Sequence, residues 1–244
     1  MHAGRTARER AREELTREIK EEARRQLGSA GADGLSLRAV ARELGMVSSA
    51  LYRYFPSRDD LLTALIIDAY DAVGAAAEEA AARTPDDDYR RRWAGACHAV
   101  REWALARPYE YALIYGSPVP GYRAPDATIG PASRVPLLLV GIVREAWLAG
   151  SVPENQAPAR EAPARRALGR EAPGGDVLAE QLNSLAAAIA PGLPPAVLQR
   201  TAVAWTQLFG MISFELFGQF ARTIEPADEF FARAVTQMMD FVGL

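Results

Sequence analysis

Residues 37–62 read Leu37-Arg38-Ala39-Val40-Ala41-Arg42-Glu43-Leu44-Gly45-Met46-Val47-Ser48-Ser49-Ala50-Leu51-Tyr52-Arg53-Tyr54-Phe55-Pro56-Ser57-Arg58-Asp59-Asp60-Leu61-Leu62. Leu37, Val40, Ala41 and Leu44 recur at i, i+3, i+4 and i+7, which is one face of a helix. Ser36 is placed to cap its start, and Gly45 supplies a left-handed stop. A short helix over about 48–55 follows and is halted by Pro56. Within this run the spacing Ala41-x3-Gly45-x5-Leu51 meets the needs of a helix-turn-helix. A small residue lies where two helices touch, a glycine lies in the tight turn, and an apolar residue on the second helix faces back to the core. A plain helical hairpin satisfies the same spacing. In a three-helix unit, however, such a short second helix offers its N-terminus to a DNA major groove.

Working outward, Leu15, Ile19, Ala23 and Leu27 recur every four residues and predict a helix over 8–27, ended by Gly28, Gly31 and Asp33-Gly34. Ser57 caps a longer helix over about 58–83, with Asp59 and Asp60 at the positive end of its dipole. Further helices are expected at about 89–107, 109–116, 130–150, 176–190, 194–220 and 227–241. Strand-type alternation is nowhere sustained, so the fold class is all-α: an N-terminal helix-turn-helix domain over 1–57 and a larger helical domain over 58–244. Residues 151–175 hold Pro153, Pro158, Pro163 and Pro173 among Ala, Arg, Glu and Gly, and are expected to form a mobile surface loop.

The composition is that of an ordinary globular chain of 244 residues, 49% hydrophobic and 24% charged, which excludes a wholly disordered or fibrous protein. No run of about 18 uninterrupted apolar residues exists, so no membrane partner is expected. Met1-His2-Ala3-Gly4-Arg5 leads into charge rather than an apolar leader, which makes cytoplasm the expected location. Net charge is −3 but unevenly placed. Residues 1–58 hold 12 Lys/Arg against 8 Asp/Glu (+4), and the remainder holds 16 against 23 (−7). A basic front on an acidic body suggests that the front meets a polyanion. Arg5, Arg8, Arg10 and Arg12 form a basic arm over 1–12, equally readable as a solvated terminus.

No catalytic set emerges. His98 adjoins the single cysteine, Cys97, but neighbours on a helix point about 100° apart and form no dyad. Metal-ligand spacing is missing, so neither a metal nor another cofactor is expected, and the chain does not read as an enzyme.

The run Leu51 to Leu62 resembles the junction that follows the recognition helix in TetR-family regulators, and the resemblance extends over about 8–70. Tyr115-Gly-Ser-Pro-Val-Pro-Gly-Tyr122 and Trp205…Phe209-Gly210 resemble the branch of that family whose ligand domain is named for a Trp-His-Gly pattern. Phe209 stands where the branch name implies histidine, so any polar role of that histidine is missing. Val47 stands where many members carry a capping Ser or Thr, with Ser48 and Ser49 following. The resemblance implies a homodimeric, ligand-responsive transcriptional regulator, most often a repressor, bound to a palindromic double-stranded operator and released by a small hydrophobic effector. The alternative is a helical small-molecule-binding protein without specific DNA recognition.

Residue chemistry assigns roles within that reading. Ser48 and Ser49 reach base edges. Tyr52 and Tyr54 donate to phosphate, Tyr52 also being able to touch a thymine methyl, and Arg53 reads a guanine or stays in solvent. Ser36 and Arg38 sit where free N–H groups attract phosphate. The family analogy implies a backbone contact for Arg58. Trp93, Trp103, Tyr111, Tyr115, Trp147, Trp205 and Phe209 are the candidate lining of an effector pocket, with ordinary core packing an equal reading. The Gly116-to-Pro125 segment reads as a rigid connector or a gate. Residues 203–218 carry 10 apolar side chains in 16, and the last helix is similarly rich. Trp205, Leu208, Ile212, Leu216, Phe231, Val235 and Met238 are the expected dimer interface, the symmetric arrangement that a palindrome needs.

Overall fold

A computed structural model describes residues 6–152 and 175–244. Among these the chain forms ten α-helices and no strand. They are α1 (Ala7–Ala30), α2 (Leu37–Glu43), α3 (Ser48–Leu51), α4 (Arg58–Ala82), α5 (Tyr89–Ala106), α6 (Pro108–Tyr115), α7 (Ile129–Leu148), α8 (Gly175–Ile189), α9 (Pro195–Leu216) and α10 (Ala227–Val242), with a 3₁₀ turn at Asp126–Thr128. The all-α expectation is met, and the expected loop at 151–175 lies mostly outside the described residues.

Local chemistry explains the boundaries. Of the basic arm, residues 1–5 lie outside the described residues, and Arg8, Arg10 and Arg12 lie in α1, which begins at Ala7. Thr6 and Glu9 close a reciprocal capping box, with the Glu9 N–H donating to Thr6 Oγ1 at 3.2 Å and the Thr6 N–H donating to Glu9 Oε2 at 2.8 Å. At the other end Gly31 has φ 68° and donates its N–H to the Leu27 carbonyl. Ser36 caps α2 by accepting from the Ala39 N–H at 3.4 Å. α3 is shorter than expected, because residues 52–54 continue as turns before Pro56.

The chain divides into two compact units, one of residues 1–72 and 104–132, the other of 73–103 and 133–244. The first unit therefore extends past residue 57 and takes in α6. Its core is Ile19, Ala23 and Leu27 of α1, Val40 and Ala41 of α2, Leu51, Phe55, and Leu61, Leu62, Leu65 and Ile66 of α4. Leu113, Ile114, Val119 and Tyr122 pack against that core, which is why a segment distant in sequence joins it. The Tyr122 and Thr63 hydroxyls lie 2.9 Å apart, which pins the Gly116-to-Pro125 segment to α4 at that point.

In the second unit α9 packs against α8 and α10. Arg101 of α5 is buried and forks onto Glu215 of α9 at 2.7 and 2.6 Å, reaches Asp228 of α10 at 2.6 Å, and stacks over the Phe231 ring. Antiparallel α5 and α10 are also tied at their far ends, where Arg90 donates to Asp240 at 2.8 Å. The segment 126–148 is long and apolar enough to cross a membrane by composition. Here Val135, Leu139, Val140, Ile142, Val143 and Ala146 are buried within the chain, and Arg134 is paired with Glu78 at 2.9 and 2.6 Å.

Candidate nucleic-acid interface

The turn between α2 and α3 is a closed hydrogen-bonded device. Gly45, at φ 64°, donates its N–H to the Arg42 carbonyl at 3.1 Å, and Met46 donates to Ala41 at 2.8 Å. This double bond pattern ends α2 and requires a left-handed residue, which glycine adopts without steric cost. Ala41 and Leu51 are both fully buried, as the helix-turn-helix spacing requires. With Leu51 anchored inward, α3 has an opposite face, on which Val47, Ser49, Tyr52 and Arg53 are exposed and Ser48 is half-buried.

The eight DNA-contact candidates separate into kinds. Arg38, Ser49, Tyr52 and Arg53 are free for solvent or a ligand surface. Tyr54 is half-buried against the core, and the Arg12 guanidinium lies 5.9 Å from its ring centroid, so α1 and the end of the recognition segment meet here. Ser36 is committed to capping α2. Arg58 is committed elsewhere: it donates to the Leu35 carbonyl at 3.2 Å and the Ala32 carbonyl at 2.7 Å, tying the start of α4 to the α1–α2 link. The structure thus gives Arg58 a bracing role that the family analogy did not suggest.

One feature escaped the sequence reading. Arg12, Glu13, Thr16, Arg17, Lys20, Arg24 and Asp68 line a surface groove of about 380 Å³. The spacing of Arg12, Thr16, Lys20 and Arg24 by four residues was the available signal. Lys20 and Arg24 both pair with Asp68, at 2.8 and 2.6 Å, and Arg24 also pairs with Glu110 at 3.2 Å, so these two cations are matched within the chain.

The expected effector lining splits between the two units. In the first, Tyr115 packs edge-on to Tyr70 with centroids 5.9 Å apart and against Tyr111 at 5.1 Å. Burial, reinforced by the neighbouring phenols, raises the Tyr115 pKa well above the ordinary value. In the second unit Trp93 and Trp103 are buried, Trp147 is half-buried, and Trp205 packs edge-on to the buried Phe209 at 6.3 Å. The indole N–H groups of Trp93, Trp103 and Trp205 are buried and have no acceptor among the described residues.

The dimer expectation needs a correction in its residues. Leu208, Ile212, Phe231, Val235 and Met238 are buried inside the chain, while Trp205 and Leu216 are half-buried. Side chains already covered by their own chain cannot form the outer layer of an interface. The exposed apolar residues here are Val203 and Phe214 on α9, Phe217 just past its end, and Phe230 and Phe241 on α10.

Residues 19–65 match the family described as bacterial regulatory proteins, tetR family, and residues 93–238 match the Tetracyclin repressor-like, C-terminal domain. The chain belongs to the TetR family. HTH-type transcriptional regulators of Mycobacterium tuberculosis and Mycobacterium bovis are 41% identical over 219 residues, covering 86% of this chain and 84% of theirs. The protein SCO4313 has a similar structure (TM-score 0.74, 34% identity, 96% of this chain and 100% of that one). RolR shares the fold (TM-score 0.51, 14% identity, 96% of this chain and 95% of that one). As a TetR-family member this protein is a DNA-binding transcriptional regulator, and the relatives it matches are regulators rather than enzymes.

Proposed function

We propose that the protein is a homodimeric cytoplasmic repressor that holds a palindromic operator and leaves it when a small apolar effector binds the helical body. The observation that carries the DNA half of this reading is the closed α2–α3 turn with Leu51 inside and Ser49, Tyr52 and Arg53 outside. Ser48 and Ser49 meet base edges, Arg53 a guanine or the groove wall, and Arg38, Tyr52 and Tyr54 the phosphates. Arg12, beside Tyr54, extends the phosphate track onto α1. The exposed Val203, Phe214, Phe217, Phe230 and Phe241 support pairing through α9 and α10.

Three buried indole donors without acceptors support an effector that combines an apolar body with a hydrogen-bond acceptor. Leaving such a donor unmatched is costly, so an acceptor oxygen on a ligand stabilises the complex there. RolR, of the same fold, is solved in complex with resorcinol. Effector binding shifts the population toward a dimer whose two α3 helices no longer match the half-site spacing. Footprinting of the DNA upstream of the protein's own gene tests the proposal. A symmetric protected region that fades as salt rises is the expected result, and no protection even at low salt rejects direct operator binding.

A further inference from the structure

Among the exposed large hydrophobic residues Val47 stands out, with 69% of its surface open to solvent, more than any other in the described chain. It occupies the N-cap of α3, where Ser, Thr, Asp or Asn is the stabilising choice. Thr6 and Ser36 fill that role for α1 and α2; α3, like α6, α9 and α10, has no side-chain cap, and among those four N-caps only Val47 is a branched apolar residue. The position thus breaks two local rules at once: it omits a cap and it exposes a branched apolar side chain. Such combined violations belong at functional positions.

The geometry holds Val47 firmly. Its backbone is extended, with φ −70° and ψ 137°, and its carbonyl accepts from the Ala50 N–H at 2.9 Å. The Gly45 and Met46 hydrogen bonds fix the chain on its other side. Met46 packs on the core, so it is Val47 that carries apolar surface outward at the start of the recognition helix. A β-branched side chain has little rotamer freedom to lose on contact. The major groove offers one dedicated apolar feature, the 5-methyl group of thymine; its other edge groups are hydrogen-bond donors and acceptors, which valine cannot satisfy.

We infer that Val47 is a specificity-determining residue that reads the 5-methyl group of one thymine in each half-site and discriminates thymine from cytosine there. This rests on the DNA-binding reading above, and it assigns the methyl to Val47 rather than to Tyr52.

The experiment starts from sequences selected by the full-length protein out of a random duplex pool. Each thymine of one half-site is then replaced in turn by deoxyuridine, which removes only the methyl group. At one thymine the wild type loses about fourfold in affinity, the value of one buried methyl. Val47→Ala binds the thymine and deoxyuridine duplexes equally at that step. 5-Methylcytosine, placed in a thymine-to-cytosine operator, recovers part of the wild-type affinity. Val47→Ser, which restores a capping hydroxyl, serves as a folded control, checked by thermal melting, and also loses the methyl preference. A deoxyuridine effect that persists in Val47→Ala, or that disappears in Tyr52→Ala alone, overturns the assignment while leaving DNA recognition intact. Failure to select any sequence rejects sequence-specific DNA binding itself, and this inference with it.

Discussion

Replacing Arg58 with alanine separates a bracing role from a phosphate contact. In the structure its guanidinium donates to Leu35 O at 3.2 Å and Ala32 O at 2.7 Å, while its side chain remains 31% exposed. Hydrogen bonds from a charged donor contribute roughly 1.5–3 kcal/mol each. Two of them, discounted for solvent at a site one-third open, bring the expected loss to about 2 kcal/mol. For a chain of this size that corresponds to a melting temperature lowered by about 4–8 °C. Operator affinity measured well below that transition, across a salt series, provides the second readout. A residue on a phosphate releases counterions, and its removal flattens the log-affinity against log-salt slope by about one per contact. Bracing predicts a lowered melting temperature with the slope unchanged. An unchanged melting temperature with a flattened slope would refute the bracing assignment and restore the family expectation.

Other perturbations test the body. Arg101→Leu strands Glu215 in a half-buried site and removes the fork joining α5 to α9 and α10; a loss of about 3 kcal/mol is expected by denaturant unfolding, and Glu215→Gln should cost less. Burial, then the nearby Arg101 charge, lowers the His98 pKa from 6.5, so the folded state binds fewer protons there than the unfolded chain. Stability from this source is present above pH 6.5 and declines as pH falls below it; melts between pH 7.5 and 5.5 should show the decline, and His98→Gln should reduce it. A methyl group added at Gly74 would lie 2.8 Å from Arg134 Cβ and Nε. Gly74→Ala should therefore destabilise by about 1–3 kcal/mol through overpacking, despite alanine's better helix propensity, and a lowered midpoint in thermal melting checks it.

Helix positions were legible because each signal is local. The i, i+3, i+4 apolar pattern around Leu37–Leu44, the Gly45 stop and the Pro56 break act within a turn or two of the backbone, and the observed helices follow them closely. The sequence pattern predicts a recognition helix over 48–55, longer than the observed Ser48–Leu51, since residues 52–54 keep turn-like hydrogen bonds that periodicity does not distinguish from a helix. Val47 was visible as a departure in cap chemistry; its exposure was not.

Residue sequence alone determined the all-α class, the small–glycine–apolar helix-turn-helix and the outward side chains of its second helix, because turn geometry and helical period are properties of neighbouring residues. Tertiary packing decided the rest. It bent Arg58 back onto the Ala32 and Leu35 carbonyls, sent Leu208, Ile212 and Phe231 inward while leaving Phe214 and Phe230 at the surface, and brought Tyr122 onto Thr63 from 59 positions away. An apolar residue on a nearly all-apolar helix carries no label for which neighbour will cover it, and a guanidinium goes to whichever acceptors the folded chain brings within reach.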